Sequence, residues 1–266
     1  MNESELLFTE VLKCSRQELY LNRSRRLNLR QSLCLAHALK RRMRREPIQY
    51  ILGRTEFMGL EFSLTPEVFI PRPETEILVE TALKFSCQLS ASGCRLKILD
   101  IGTGSGCIAI SLARLLEDAE VDASEISKQA LEVAKKNAGL NNAGVNFYQS
   151  NLFPPGGRDY ALIISNPPYI PTAEISGLAP EISYEPRIAL DGGRDGLCFY
   201  RRIIQEAPLY LGSRGFLILE MGFSQCPEIK NLLDSSGRFE IIEVARDYQD
   251  IDRVIVARLR QGARNG

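Results

Sequence analysis

The chain has one histidine, no tryptophan and no net charge, with Lys+Arg and Asp+Glu each numbering 33 in 266 residues. Each shortage removes a class of function. His37 lies among Leu33, Leu35, Ala36 and Leu39, far from any cysteine or carboxylate cluster, so it reads as a helix residue and no zinc site is expected. The charge balance lacks the basic excess of duplex-binding enzymes and weighs against a nucleic-acid substrate. No run approaches about 18 apolar residues. The first turns of chain carry Glu3, Glu5, Glu10, Lys13, Arg16 and Glu18, so neither a membrane span nor a secretory leader is expected. The seven cysteines (Cys14, Cys34, Cys87, Cys94, Cys107, Cys198, Cys226) are odd in number and show no Cys-x-x-Cys spacing. They read as reduced thiols of a cytoplasmic protein, mostly packed as small hydrophobes. Any chemistry is expected to proceed without a metal and without a histidine base.

What is present is ordinary globular composition, 44% hydrophobic and 25% charged, which argues against disorder. The length accommodates one large α/β domain of about 200 residues and a smaller appendage. Residues 4–45 read as short helices. Leu7, Phe8, Val11 and Leu12 share one helical face, and Ser15 with Glu18 forms a capping box that opens a second helix. The basic run 40–45 reads as a solvated helix end whose cations suit the C-terminal dipole, or as a docking patch for an acidic partner or RNA. Pro47 stops that helix. From 48 to 70 the period changes: Leu60, Phe62 and Leu64 alternate with Glu61 and Ser63 after a Met58-Gly59 turn, and Tyr50 to Phe57 supplies the preceding arm of a β-hairpin. Two prolines stiffen the segment 70–76, in which Thr75 is expected to cap the next helix. The domain junction is placed there, with a helical and hairpin unit over 1–71 and a larger unit over 72–266.

From residue 95 strands and helices alternate. Strands are expected at 96–101, 120–123, 145–149, 160–165, 216–219, 239–244 and 254–259, and helices near 105–116, 127–138, 197–210 and 225–235. Such alternation gives a mostly parallel sheet with helices on both faces. The last two strands are too close for a helical crossover and form an antiparallel hairpin.

The first of these strands ends in Asp100-Ile101-Gly102-Thr103-Gly104-Ser105-Gly106. Glycines at a strand-to-helix turn let the backbone approach a ligand that side chains would exclude. A dinucleotide fingerprint needs its third glycine one place later, where Cys107 stands. Glu125 follows the second strand, 19 residues after Gly106, and its carboxylate can accept hydrogen bonds from both hydroxyls of a ribose. Ser150-Asn151-Leu152-Phe153 ends the third strand, at the edge where an adenine would lie. Together these features point to a bound adenosine cofactor.

The fourth strand ends in Asn166-Pro167-Pro168-Tyr169. Two consecutive prolines fix the backbone and remove its amide donors. What remains is the carboxamide of Asn166, the carbonyl of Pro167 and the ring of Tyr169. Acceptors held around a flat ring suit a planar amino group attached to a π system. An amino methyltransferase acting on nucleic acid would need base flipping and a target-recognition module, for which the neutral charge and the small N-terminal segment offer little. A non-enzymatic binding module would have no use for the intact Asn-Pro-Pro-Tyr.

With Glu46-Pro47-Ile48-Gln49-Tyr50-Ile51-Leu52-Gly53, Phe69-Ile70-Pro71-Arg72-Pro73-Glu74-Thr75-Glu76, and Tyr184-Glu185-Pro186 followed by Ala189-Leu190-Asp191-Gly192-Gly193, these motifs resemble the peptide chain release factor glutamine methyltransferases (PrmC/HemK). The likeness runs from residue 46 to about 258 and is weak over the N-terminal helices. Asn-Pro-Pro-Tyr alone is shared with DNA adenine methyltransferases. The resemblance implies a class I S-adenosylmethionine-dependent methyltransferase, a Rossmann-like, mostly parallel seven-stranded sheet with an antiparallel last strand, plus a small N-terminal helical domain. The implied substrate is the glutamine of the Gly-Gly-Gln motif in class 1 release factors, with a ribosomal-protein glutamine as the sister possibility. The implied cofactor residues are Asp100, Gly102, Thr103, Gly104, Ser105, Gly106, Glu125, Asn151, Leu152 and Asn166. Asn166, Pro167, Pro168 and Tyr169 would hold the glutamine, with Asn166, Pro167 and Tyr169 acting in catalysis, and Arg72 and Glu74 would wall the pocket. Two positions depart from the family pattern: Glu125 and Asn151 stand where aspartate is more usual.

Overall fold

The apolar runs beyond residue 96 pair side by side into one seven-stranded sheet. The computed structural model describes residues 3–22, 24, 26–90, 96–156 and 159–263. Its strands β3 (Lys97–Ile101), β4 (Glu120–Glu125), β5 (Val145–Gln149), β6 (Tyr160–Ser165), β7 (Leu211–Glu220), β8 (Phe239–Arg246) and β9 (Asp252–Leu259) take the order β5-β4-β3-β6-β7-β9-β8. The pairs from β5 across to β7 are parallel, and β9 runs antiparallel between β7 and β8. Alternate side chains feed two cores, as a period of two requires. Ile98, Leu162, Ile164 and Ile218 pack on one face, against Leu78 and Phe85 of α5 (Pro73–Ser90) and Ile110 of α6 (Cys107–Leu115). Leu99, Ile163, Leu217 and Leu219 pack on the other, against Tyr200 and Ile203 of α8 (Cys198–Glu206) and Ile229 and Leu233 of α9 (Cys226–Ser236). On the first face α7 (Lys128–Leu140), which joins β4 to β5, adds Ala138 to the core.

β3 sits where the strand order reverses, between β4 and β6. In a doubly wound sheet the loops at that point diverge and open a crevice. The strands fall where the sequence places them, with one clear difference. β7 begins at Leu211, not 216, because Leu211 pairs with Tyr160 across a register shift and carries the Gly212-Ser213-Arg214 stretch into the sheet.

The N-terminal region folds as α1 (Glu3–Leu12), α2 (Arg16–Leu21), α3 (Leu29–Met43) and α4 (Ile48–Leu52), packed around Leu7, Leu35, Ala38 and Ile48. Ser15 and Glu18 form the expected capping box. The hairpin of β1 (Arg54–Phe57) and β2 (Leu60–Ser63) is shorter than the sequence suggests. Its turn is at Met58 and Gly59, both at positive φ, as the tight hairpin turn that matches strand twist demands. Residues 48–52 are helical, not strand. Buried Ile48 and Tyr50 imitate strand alternation, but Gly53 at φ 72 closes a helical turn before pairing begins at Arg54. Thr75 is not a helix cap either: α5 opens with Pro73, whose missing N–H costs nothing in a first turn, and the Thr75 side chain is buried.

Much of the basic run is neutralised within the chain. Arg41 pairs with Glu46, Arg42 with Glu3 and Glu181, and Arg45 with Glu181. The cysteines differ from expectation: Cys107 and Cys226 are buried, but Cys34, Cys87 and Cys198 are exposed on helices, and Cys94 lies outside the described residues. His37 is exposed on α3. Among the described residues no helix is long and apolar enough to cross a membrane.

Candidate active site

The loops that follow β3, β4, β5 and β6 form the floor of one deep cavity at the carboxyl edge of the sheet. Its roof comes from two segments remote in sequence, the strap Glu67, Val68, Phe69 and Pro71 after the hairpin, and Pro186, Ile188, Ala189 and Leu190. Of the residues singled out by sequence, Gly102, Thr103, Gly104, Ser105, Glu125, Asn151, Leu152, Asn166, Pro167, Pro168 and Tyr169 line it together. Asp100, Gly106, Arg72 and Glu74 do not.

The glycine turn is built for close approach. Gly102 and Gly104 take φ +71 and +54, and a Cβ on either would meet nothing nearer than a backbone oxygen at 4.0 Å, so it would intrude on the cavity itself. Gly106 serves packing instead: a Cβ there would stand 2.7 Å from Ile110 Cδ1 and 3.2 Å from Ala134 Cβ, where α6 meets α7. Asp100 braces the turn from behind. It is buried, accepts from Thr103 Oγ1 at 2.6 Å, and is pushed up to about 7 by burial, against the pull of that hydrogen bond.

Glu125 ends β4 with its side chain buried. One carboxylate oxygen accepts from the Gly104 amide at 2.9 Å and the other from the Ser127 amide at 2.9 Å. It therefore ties the glycine turn to the start of α7, and each oxygen keeps a lone pair for a ligand hydroxyl. Asn151 is exposed at the rim, with Oδ1 accepting from Arg202 at 3.2 Å. Leu152 takes φ 75, which turns its backbone under the cavity.

At the end of β6 the Asn166 Nδ2 donates to Thr75 Oγ1 at 3.2 Å. Thr75 thereby engages the NH2 of the carboxamide, and Oδ1 remains as the acceptor. Tyr169 is held closely from behind. Its carbonyl accepts from Gln225 Nε2 at 2.9 Å, and burial pushes its phenol up to about 12. The Ala189–Gly193 segment is pinned alongside by Ile170 N to Leu190 O at 3.0 Å and Gly192 N to Ile170 O at 2.8 Å. Glycines make this contact possible. A Cβ on Gly192 would lie 2.8 Å from the Pro168 carbonyl oxygen, and one on Gly196, at φ +74, would run into the Tyr169 carbonyl oxygen. Gly196→Ala is therefore expected to displace the 166–169 loop. The rate of any reaction at this loop should fall by about a hundredfold, the scale of a roughly 1 Å misplacement, with the glycine turn undisturbed. Comparing single-turnover rate with cofactor titration checks it, and a variant of normal rate would show that the loop tolerates the shift.

Arg72 stands behind the roof, and Glu74 lies close enough for its charge to raise the Tyr169 phenol. The Arg72 guanidinium lies 4.7 Å over the Phe69 ring and pairs with Glu185, which also accepts from Ile70 N at 3.2 Å. Burial raises the Glu185 carboxyl, with Arg72 opposing. Glu185 thus joins the two roof segments. Tyr184 beside it donates to the Arg44 carbonyl at 2.7 Å, so the end of α3 braces the same wall. Sequence reasoning missed Glu185, Thr75, Arg202 and Glu220. Glu185 and Thr75 carried a signal, in the Tyr184-Glu185-Pro186 and Phe69–Glu76 motifs, and Arg202 and Glu220 carried none.

A sheet of this order, with a glycine turn after its first strand and a carboxylate after its second, defines a class I methyltransferase fold. The family described as methyltransferase small domain matches residues 75–182, and the PrmC N-terminal domain matches residues 1–53. The release factor glutamine methyltransferase of Geobacter sulfurreducens is 43% identical over 97% of this chain and 89% of its own length. That of Coxiella burnetii is 41% identical over 96% and 91%. The crystal structure of a methyltransferase from Pyrococcus furiosus superimposes with a TM-score of 0.54 at 18% identity, covering 77% of this chain and 91% of that one, a likeness of fold alone. The chain belongs to the release factor glutamine methyltransferase family.

Proposed function

We propose that this enzyme transfers a methyl group from S-adenosylmethionine to the side-chain amide nitrogen of the glutamine in the Gly-Gly-Gln motif of class 1 peptide chain release factors, leaving S-adenosylhomocysteine. The observation that carries this reading is the orientation of Asn166. Its Nδ2 is turned back onto Thr75, so Oδ1 is left to accept at the cavity beside the Pro167 carbonyl. Two acceptors suit the two N–H bonds of a primary amide.

The cavity fits the cofactor through features of its own floor. Open space faces Gly102 and Gly104, a buried carboxylate stands at Glu125, and Leu152 and Ile126 offer an apolar surface for a purine. Bound S-adenosylmethionine supplies an electrophilic sulfonium methyl. An amide nitrogen is a weak nucleophile because its lone pair is delocalised into the carbonyl. Asn166 and the Pro167 carbonyl, accepting both N–H bonds, would shift electron density onto that nitrogen and aim its lone pair. As the N–C bond forms and the S–C bond breaks, the nitrogen becomes acidic and its proton passes to water. Tyr169 would stack on the amide plane, while Arg72 holds the strap that closes over it and Glu74 would wall the pocket beside Tyr169.

Residues 1–71 would serve the protein substrate and 72–266 the chemistry, and the substrate places the enzyme in the cytoplasm. Labelled methyl transfer to purified release factors, ribosomal proteins and DNA in parallel tests the assignment. Label is expected on the glutamine of release factors. Label on a ribosomal-protein glutamine would change the partner but keep the chemistry, and label only on nucleic acid would overturn both.

A further inference from the structure

Behind Asn166 lies a buried acid for which methyl transfer as described has no use. Glu220 ends β7, one residue past the Ser165–Leu219 pairing that joins β7 to β6, and so stands level with Asn166. It is 3% exposed, and its Oε2 is buried without a hydrogen-bond partner. Its carboxyl interacts with the Thr75 hydroxyl and the Asn166 carboxamide. Thr75, also buried, accepts from Asn166 Nδ2 at 3.2 Å. The Glu220 backbone is anchored too, since its carbonyl accepts from Tyr200 Oη at 2.8 Å.

Burying a carboxylate beside apolar strands is costly, and Leu219 or Ile218 shows what packing alone would select there. The acid does have a distinctive property: when ionised it accepts and cannot donate. A carboxamide rotated by half a turn keeps its shape but exchanges oxygen for NH2. In the wrong orientation Asn166 would present a donor to the donor N–H groups of a substrate amide. An acceptor-only neighbour rejects that orientation.

We propose that Glu220 is a positioning residue that fixes the flip state of Asn166, directly and through Thr75, so that the Asn166 oxygen faces the substrate amide. This rests on the role given to Asn166 under the proposed function. It has a pH signature, because a protonated Glu220 gains a donor and loses its selectivity. Burial pushes Glu220 up to about 7. Glu74 acts in the same direction, and Thr75, Arg253 and Asn166 oppose. The phenols of Tyr169 and Tyr200 and the thiol of Cys107 also face it, all three raised first by burial. The stability linkage has the opposite sign from the activity. A carboxyl raised above its unfolded value stabilises the fold most below pH 4.5, and that contribution is lost as pH rises through about 7.

Glu220→Gln keeps the shape but satisfies either orientation of Asn166. Single-turnover rates of Glu220→Gln, Thr75→Val, Asn166→Ala and wild type, measured from about pH 6 to 9 with cofactor titration and melting curves, test the inference. Wild-type rate should fall as pH drops through about 7. Glu220→Gln should be slower by up to about a hundredfold at high pH, with that acid limb flattened and cofactor affinity kept. Its melting temperature at high pH should equal or exceed wild type, because no charge is buried. Thr75→Val should slow transfer in the same sense. If Asn166→Ala slows transfer while Glu220→Gln keeps both the wild-type rate and its acid limb, the positioning inference is overturned. A Glu220→Gln variant that melts lower and loses cofactor binding overturns it too, since the acid is then structural. If Asn166→Ala itself is without effect, it is the function proposed for the site that fails.

Discussion

Asn166→Ala should lower the single-turnover rate of methyl transfer by about a hundredfold or more, the scale seen when a preorganised polar group is deleted. The reason lies in when the group acts. Its oxygen accepts from the substrate amide while the nitrogen is becoming the nucleophile, so the loss falls on the chemical step and not on the ground state. Cofactor affinity should change little, because the glycine turn and Glu125 lie at the ends of β3 and β4 while Asn166 follows β6. Asn166→Asp is the finer test. It retains an accepting oxygen but places a negative charge close to the sulfonium and beside Glu220, an acid already pushed up to about 7 by burial. Cofactor binding should persist while transfer slows. An Asn166→Ala enzyme that loses cofactor binding and keeps near-normal single-turnover rates would make Asn166 a cofactor residue and remove the mechanism.

The sheet was legible because its strands alternate between two cores, and alternation is a local signal. Ile98 and Leu99, or Ile163 and Ile164, point to opposite layers and announce a strand buried on both faces. The same signal misleads where it is brief. Ile48 and Tyr50 are both buried in α4 and mimic two strand positions, and only the left-handed Gly53 separates helix from hairpin. At the site, the glycine turn, Glu125 and residues 166–169 could be found because each lies at the end of a strand with a recognisable sequence. The roles of the supporting groups could not. Thr75 looks like a cap, Glu220 like the polar end of an apolar strand, and Glu185 like one acid in an irregular segment of short 3₁₀ turns. Their roles arise from elements that meet only in three dimensions: α5 against β6 and β7, and the strap after the hairpin against the segment at 184–190.

Glu125→Ala should weaken S-adenosylmethionine binding by about 1.5–3 kcal/mol, roughly 10- to 150-fold in affinity, the scale of lost hydrogen bonds to a charged group. Two losses combine. One is the acceptor for the ribose hydroxyls that the position of Glu125 after β4 supplies. The other is internal: the Gly104 and Ser127 amides, each 2.9 Å from a carboxylate oxygen, lose the anion that ties the glycine turn to α7. Glu125→Gln separates charge from shape. A carboxamide has one accepting oxygen, so its NH2 must face either the Gly104 or the Ser127 amide, donor against donor. The glutamine variant should therefore bind nearly as poorly as the alanine variant. At saturating cofactor both should recover much of the wild-type single-turnover rate, because residues 166–169 are untouched and the lost interactions belong to binding. Calorimetric titration with S-adenosylmethionine, followed by rate measurement at saturation, resolves the two effects. Affinity unchanged in both variants would remove Glu125 from the cofactor site and leave it as a brace of the glycine turn alone.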